Sequence, residues 1–246
     1  MHDYNERYRR QMMMKDFTPE KQEKLKNASV FVGGIGGLGG ATAAYLASAG
    51  IGRLIISHYG NLTETNMNRQ LLMDINRVGE PRIEIAYENL IKINPDMRLE
   101  MHNVRLDESK SKAKELIRGC DIAMSARPNF PERLAMNKAC VDLNIPMVEA
   151  AMDDMYGYLF TVVPHKTACL ACNMPENDKD WKELGFGVLG AVSGTIGCLA
   201  AVEMIKILTG HGEPLNGRMM HIDFMKMRTV MPTLKRNPAC PVCSHK

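Results

Sequence analysis

Val30-Phe31-Val32-Gly33-Gly34-Ile35-Gly36-Gly37-Leu38-Gly39 joins a short apolar run to a helical one. Gly34, Gly36 and Gly39 stand in the GxGxxG spacing, after a predicted buried strand over Ser29 to Gly33 and before a predicted helix over Leu38 to Ala49. Without Cβ atoms the turn lets a phosphate approach the backbone, and the helix N-terminus offers free N–H groups and positive potential. Gly50-Ile51-Gly52 closes the helix and Arg53 to Ser57 reads as the next strand, so the stretch is a βαβ unit. A dinucleotide site would ask for a carboxylate about 20 residues on, to hold the ribose. The residues there are Ser57-His58-Tyr59-Gly60, none of them acidic.

The alternation continues downstream. A helical pattern over Gly79 to Ile93 is stopped by Asn94-Pro95; a strand over Arg98 to Val104 and a helix over Asp107 to Arg118 follow. Asp121 to Met124 reads as a strand, Pro131 to Leu143 as a helix and Pro146 to Glu149 as a strand. This order predicts an α/β fold with a Rossmann-like, doubly wound, mostly parallel sheet. Upstream, Tyr4 to Met14 reads as one helix and Thr18 to Lys26 as another, with Thr18 as cap and Pro19 in the first turn. Beyond Met155 the texture changes. A strand over Tyr158 to Val163 leads into a polar loop over Asn173 to Gly187; a long helix over Leu189 to Leu208 and strands over Met219 to Asp223 and Arg228 to Leu234 complete the pattern. A chain of 246 residues with 45% hydrophobic content supports one large domain with its own core.

Two CxxC pairs, Cys169-Leu170-Ala171-Cys172 and Cys240-Pro241-Val242-Cys243, lie roughly seventy residues apart. Together they supply four thiolates, the ligand set of a tetrahedral structural zinc, which would clip the C-terminal part onto the middle of the fold. A redox CxxC and unliganded thiols are the alternatives. Metal is preferred to disulfide because no signal peptide is legible and Cys120, Cys140 and Cys198 stand singly in apolar runs. Cytoplasmic location is the matching expectation. A net charge of +3 is too small to argue for nucleic acid as a main partner. No apolar run reaches ~18 uninterrupted residues, so no membrane span is expected; Leu189 to Leu208 comes nearest and carries Glu203 and Lys206.

Read together, the pieces resemble a known family in order and over nearly the whole chain. They are Arg7-Tyr8-Arg9-Arg10-Gln11, Gly34 to Gly39, Asn66-Met67-Asn68-Arg69-Gln70, Gly79-Glu80-Pro81-Arg82, Ile93-Asn94-Pro95, Gly187-Val188-Leu189-Gly190, Lys206 to Gly210 and the two CxxC pairs. The chain is similar to the ubiquitin-activating-enzyme-like adenylyltransferases, the ThiF/MoeB group of thiamine and molybdopterin biosynthesis. The resemblance implies one adenylation domain over 1–246, with a nucleotide-binding half (1–150) and a substrate- and zinc-binding half (151–246). It implies that ATP lies over Gly34, Gly36, Gly37 and Gly39 and that a substrate carboxylate attacks the α-phosphorus, giving an acyl-adenylate and pyrophosphate. Arg69 and Arg82 would contact phosphates, Asn66 and Gln70 would position the nucleotide, and His58, in place of an acid, would bind ATP with an imidazole that can still hydrogen-bond a ribose hydroxyl. Arg10 would reach the triphosphate of a neighbouring subunit, which makes the protein a homodimer. Mg2+ would accompany ATP, zinc would sit on Cys169, Cys172, Cys240 and Cys243, and a downstream acyl-acceptor protein would follow.

The pattern also breaks. His58 stands where the family holds the ribose with an aspartate, Gly60 where it carries a second acid, Arg82 where it carries lysine, and Pro128 where it carries its magnesium-binding aspartate. Proline has no side-chain donor. Asp121, Glu149, Asp153 and Asp154 are the candidate replacements, and Arg127 is a candidate extra cation. Two readings follow: an active adenylyltransferase with a remodelled nucleotide site, or a non-catalytic nucleotide-binding or scaffold relative. The intact glycine loop and both arginine motifs favour the first. For the substrate, the resemblance offers the C-terminal carboxylate of a ubiquitin-like or sulfur-carrier protein, a peptide antibiotic precursor, or a small carboxylate. The expectation taken here is a cofactor precursor such as the pyridinol carboxylate of iron-guanylylpyridinol biosynthesis. Asn173 to Phe186 contains no cysteine, which argues against a self-thioester there, and Cys198 reads as core.

Overall fold

The computed structural model describes residues 4–106, 111–174 and 185–244. Eight strands form one sheet: β1 (Ser29–Gly33), β2 (Arg53–His58), β3 (Arg98–Asn103), β4 (Ile122–Ser125), β5 (Met147–Asp153), β6 (Tyr156–Val162), β7 (Met219–Asp223) and β8 (Arg228–Val230). Their order is β3-β2-β1-β4-β5-β6-β7-β8. The pairs from β3 to β5 are parallel, and β6, β7 and β8 add to them antiparallel. The central parallel strands β1 and β4 are buried along their length because helices cover both faces, whereas the edge strand β3 alternates between buried and open positions. One face carries α2 (Pro19–Asn27), α3 (Gly37–Ala49), α4 (Arg82–Ile93) and α8 (Gly190–Thr209) over a core of Val30, Val32, Leu46, Leu54, Ile85 and Ile196. The other carries α5 (Lys112–Ile117), α6 (Phe130–Leu143) and α7 (Leu170–Asn173) over Phe31, Ile55, Ile117, Met136, Met147 and Phe160. The doubly wound α/β reading holds.

α8 is the described helix whose length and apolarity would suffice to cross a membrane. Here it packs on α3, where the Thr42 hydroxyl donates to the Gly197 carbonyl at 2.9 Å. The N-terminal helix α1 (Tyr4–Met12) docks at the far end of α3: Gln11 donates to the Ala49 carbonyl at 3.2 Å, and Arg7 donates to the Ile93 carbonyl at the end of α4.

Several boundaries differ from the sequence reading. α4 starts at Arg82 rather than Gly79, because Gly79 has φ +97 and Pro81 is its extended N-cap. Thr18 is the N-cap residue of α2, yet its side chain makes no capping hydrogen bond. β5 runs to Asp153 and turns directly into β6, since cross-strand pairing from Met147↔Val162 to Asp153↔Tyr156 continues through polar positions. β8 ends at Val230, four residues short. Cys198 is half-buried on α8, not core. The expected helix over Asp107 to Arg118 is described from Ser111 onward and its observed part is α5; most of the loop expected over Asn173 to Gly187 lies outside the described residues.

Candidate functional site

Chain order reverses between β1 and β4, where doubly wound sheets open a crevice at the carboxyl ends of their strands. The glycine loop lies there. Gly34 has φ +106, and a Cβ on it would fall 2.6 Å from the Ala126 carbonyl oxygen beyond β4. Its N–H donates to the Ser57 carbonyl of β2 at 2.8 Å. The loop is thus pressed between the ends of β2 and β4 and delivers the first turn of α3, with Gly36 and Gly37, to a cleft. Gly39 lies within that turn, against the Gly34 carbonyl. The first N–H groups of a helix lack intrahelical partners, so this wall donates hydrogen bonds.

Four arginines line the same cleft: Arg69, Arg82, Arg127 and Arg133. Arg127 is buried, with Nη2 on the Glu132 carboxylate at 2.8 Å and its guanidinium 4.5 Å from the centre of the Tyr59 ring. Arg133 pairs with buried Glu149 and donates to the Arg127 carbonyl at 2.6 Å. Arg69 is steadied by the Thr65 carbonyl and the Asn68 amide oxygen, each at 2.8 Å. Arg82 donates to the carbonyls of Tyr59 at 2.7 Å and Gly60 at 3.3 Å. Among the described residues neither Arg69 nor Arg82 has a carboxylate partner. Burial first, then the neighbouring Arg127 and Arg69 charges, hold Arg82 below the usual guanidinium range. Among the described residues the cleft therefore carries more positive than negative charge, which suits a polyphosphate.

Gly60 explains one departure from the family pattern. It has φ +86, and a Cβ there would lie 2.9 Å from Arg82 Nη2. The guanidinium occupies the space that an acid at position 60 would need.

His58 and Gln70 are buried and line the cleft. Asn66 is buried but is not among the lining residues; its side-chain oxygen accepts from the Thr63 N–H and hydroxyl at 3.0 Å each, closing the turn that presents Arg69. Arg10 is exposed on α1, and the 13 residues of α3 separate α1 from the glycine loop, a span of about 20 Å. Arg10 therefore lies far from its own chain's cleft.

The candidate magnesium ligands do not converge on it. Asp121 accepts from the Ser29 N–H at 2.8 Å, at the opposite end of the sheet. Glu149 pairs through Oε1 with Arg133 and is not a lining residue, and Asp153 and Asp154 lie at the β5–β6 turn. Magnesium takes oxygen ligands; Pro128 is a lining residue, and no carboxylate is among the described lining residues.

Sequence reasoning missed Glu132, Arg133 and Tyr59. The signal for Glu132 was present: Asn129-x-x-Glu132 is a capping-box pattern, and Asn129 Oδ1 accepts from the Glu132 N–H at 2.9 Å.

The second site is the cysteine cluster. The sulfurs of Cys169, Cys172, Cys240 and Cys243 all lie within 4.8 Å of one another, with Cys169–Cys240 at 3.7 Å, Cys172–Cys169 at 3.9 Å and Cys172–Cys243 at 3.4 Å. These separations exclude disulfides. A tetrahedron with Zn–S bonds of about 2.3 Å has edges of about 3.8 Å, so spacing and donor set fit zinc. Asn137 on α6 supports the cluster: its amide donates to Cys169 Sγ at 3.5 Å and its oxygen accepts from the Leu170 N–H at 2.9 Å. Arg236 ties the tail down, donating to the Cys243 and His165 carbonyls at 2.8 and 2.9 Å.

Comparison with known proteins agrees with this geometry. The ThiF family model matches residues 8–242. Protein HesA (heterocyst) of Trichormus variabilis is 46% identical over 241 residues, covering 98% of this chain and 89% of that protein. The sulfur carrier protein adenylyltransferase of Thermus thermophilus is 38% identical over 250 residues, covering 97% and 90%. The crystal structure of E. coli MccB with AMPCPP and selenomethionine MccA superposes with a TM-score of 0.86 at 26% identity, covering 98% of this chain and 75% of that one. Glycine loop, arginine-lined cleft and cysteine cluster thus occur together in a chain that belongs to the ThiF family.

Proposed function

We propose that this chain is an ATP-dependent adenylyltransferase that activates a carboxylate. The observation that carries the reading is the convergence of the α3 N-terminus with Arg69 and Arg82, two cations without a carboxylate partner among the described residues, in one cleft. In the reaction a carboxylate oxygen bonds to the α-phosphorus, the α–β bridging P–O bond breaks, and pyrophosphate leaves with its electron pair. Charge builds on the phosphate oxygens and the leaving group, and donors fixed beforehand stabilise it most. Arg69 and Arg82 are placed for that role, with the α3 N–H groups and Gln70 holding the nucleotide. Arg127 and Arg133, each paired with a buried carboxylate, shape the wall. Zinc on the four cysteines is structural in this account.

Arg10, exposed and distant from its own cleft, serves the cleft of a second copy, so the active species is a homodimer. The substrate is either a small carboxylate, such as the pyridinol of iron-guanylylpyridinol biosynthesis, or the C-terminus of a carrier protein. The second is favoured by the likeness to the Thermus enzyme named for a sulfur carrier protein and to the SAMP-activating enzyme E1 of Haloferax volcanii, 35% identical over 241 residues. Pyrophosphate exchange decides between them. Exchange that depends on a carrier protein with an intact C-terminus, and not on the pyridinol, assigns the protein substrate; the reverse assigns the small molecule. Failure of both, with ATP bound, contradicts the enzymatic reading.

A further inference from the structure

His58 ends β2 beside the glycine loop and is 6% exposed. Its Nδ1 faces two groups that only donate, the Ile35 N–H at 3.3 Å and Arg127 Nη1 at 3.0 Å. Nδ1 must therefore carry the lone pair, and in the neutral ring the proton sits on Nε2. Arg127 cannot turn away, because Nη2 is held by Glu132 at 2.8 Å, and Glu132 also accepts from Asn129 at 2.6 Å and from the Leu106 N–H at 3.0 Å. Burial first, then the Arg82 and Arg127 charges, keep the imidazole neutral. Nε2–H is the ring's one unused hydrogen-bonding atom: it is buried, has no partner, and belongs to a residue that lines the cleft. A buried donor left unpaired is costly, so the site is complete only when an acceptor arrives.

In doubly wound folds the end of the second strand faces the nucleotide sugar, where a carboxylate ordinarily accepts from its hydroxyls. We propose that this chain inverts that polarity: His58 Nε2–H donates to an oxygen of the ATP ribose, and the Arg127–Glu132 pair fixes the tautomer that makes this possible. The proposal rests on the ATP reading above and adds a specificity-determining residue to it. Arg127 and Glu132 are positioning residues, acting through His58.

Nitrogen NMR of the imidazoles in the full, zinc-loaded chain tests it without a mutation. His58 is expected as the neutral Nε2–H tautomer, with Nε2 shifting as ATP is added. A ring protonated on Nδ1, or an Nε2 resonance indifferent to saturating ATP, overturns the proposal. Calorimetry then compares ATP with its 2′-deoxy and 3′-deoxy analogues. One analogue is expected to bind about tenfold more weakly. His58→Phe should lose that discrimination, and His58→Gln, which keeps an N–H donor, should retain it. Equal losses for all three nucleotides in both variants would make His58 merely structural and overturn the proposal. ATP that binds with no sugar discrimination removes His58 alone; ATP that does not bind removes the adenylyltransferase reading as well.

Discussion

The cysteine cluster and the glycine-loop cleft share one helix and are built on opposite plans. α6 carries Glu132, buried behind Arg127, and Arg133, which lines the cleft, at its start, and Asn137 one turn later, against Cys169. The cluster draws four side chains of one chemistry from two short sequence pairs. The cleft draws its parts from many elements, and its departures from the family pattern, Pro128 apart, each touch a partner side chain. Gly60 goes with Arg82, which fills the space beside it, and His58 goes with Arg127, which fixes its ring. A metal site with identical ligands cannot trade one for another. A charged cleft can, provided that the partner changes too.

The largest expected effect lies in the cluster. Cys172→Ser or Cys243→Ser should abolish stoichiometric zinc by elemental analysis and lower stability by several kcal/mol, because metal binding energy is folding energy. The cleft lining shares no residue with the cluster, so any loss of ATP affinity should follow the loss of fold. A single mutant that keeps its full metal content would break the four-thiolate reading.

In the cleft, Gly60→Asp restores an acid that the family carries yet should lower ATP affinity. The φ of +86 strains any side chain, at a cost of about 1–2 kcal/mol, and the new Cβ displaces Arg82. A gain of affinity, measured by calorimetry, would show that the positions are independent and break the pairing of Gly60 with Arg82.

The smallest effect is a pH dependence. The depressed His58 pKa means that below about pH 6.5 the unfolded chain takes up a proton that the native chain refuses. Stability contributed by neutral His58 is therefore present above that pH and is lost as pH falls toward the folded pKa. Denaturant titrations should show a steeper acid loss for the natural chain than for His58→Gln; identical slopes would mean that the ring is free to charge.

What was legible follows the same division. The glycine loop and the CxxC pairs depend on spacing within a few residues, and both could be placed from the sequence: the loop at the cleft and the four sulfurs in one cluster. The alternation of Val, Ile and Leu runs with helical patterns gave the doubly wound class for the same local reason. Less legible were facts set by tertiary contact. Arg82 lies 22 residues from the Gly60 carbonyl it binds. Glu149 is attractive in sequence as a metal ligand, but it is buried, pairs through Oε1 with Arg133 and does not line the cleft. Asp153-Asp154 looked like a loop beyond a strand because polar residues mask a hairpin whose register is set by β6. Asn66 looked like a nucleotide contact, and its side-chain oxygen closes a turn.

Arg69 and Arg82, without a carboxylate partner among the described residues, are expected to bind the phosphates of ATP. Calorimetric titration of the zinc-loaded chain with ATP, beside Arg69→Ala, tests this expectation most directly. Saturable ATP binding in the natural chain, lost in Arg69→Ala while its thermal melt is unchanged, is the predicted result. Absence of binding at millimolar ATP, or equal affinity in the two proteins, would contradict the account and leave the cleft as the wall of a scaffold.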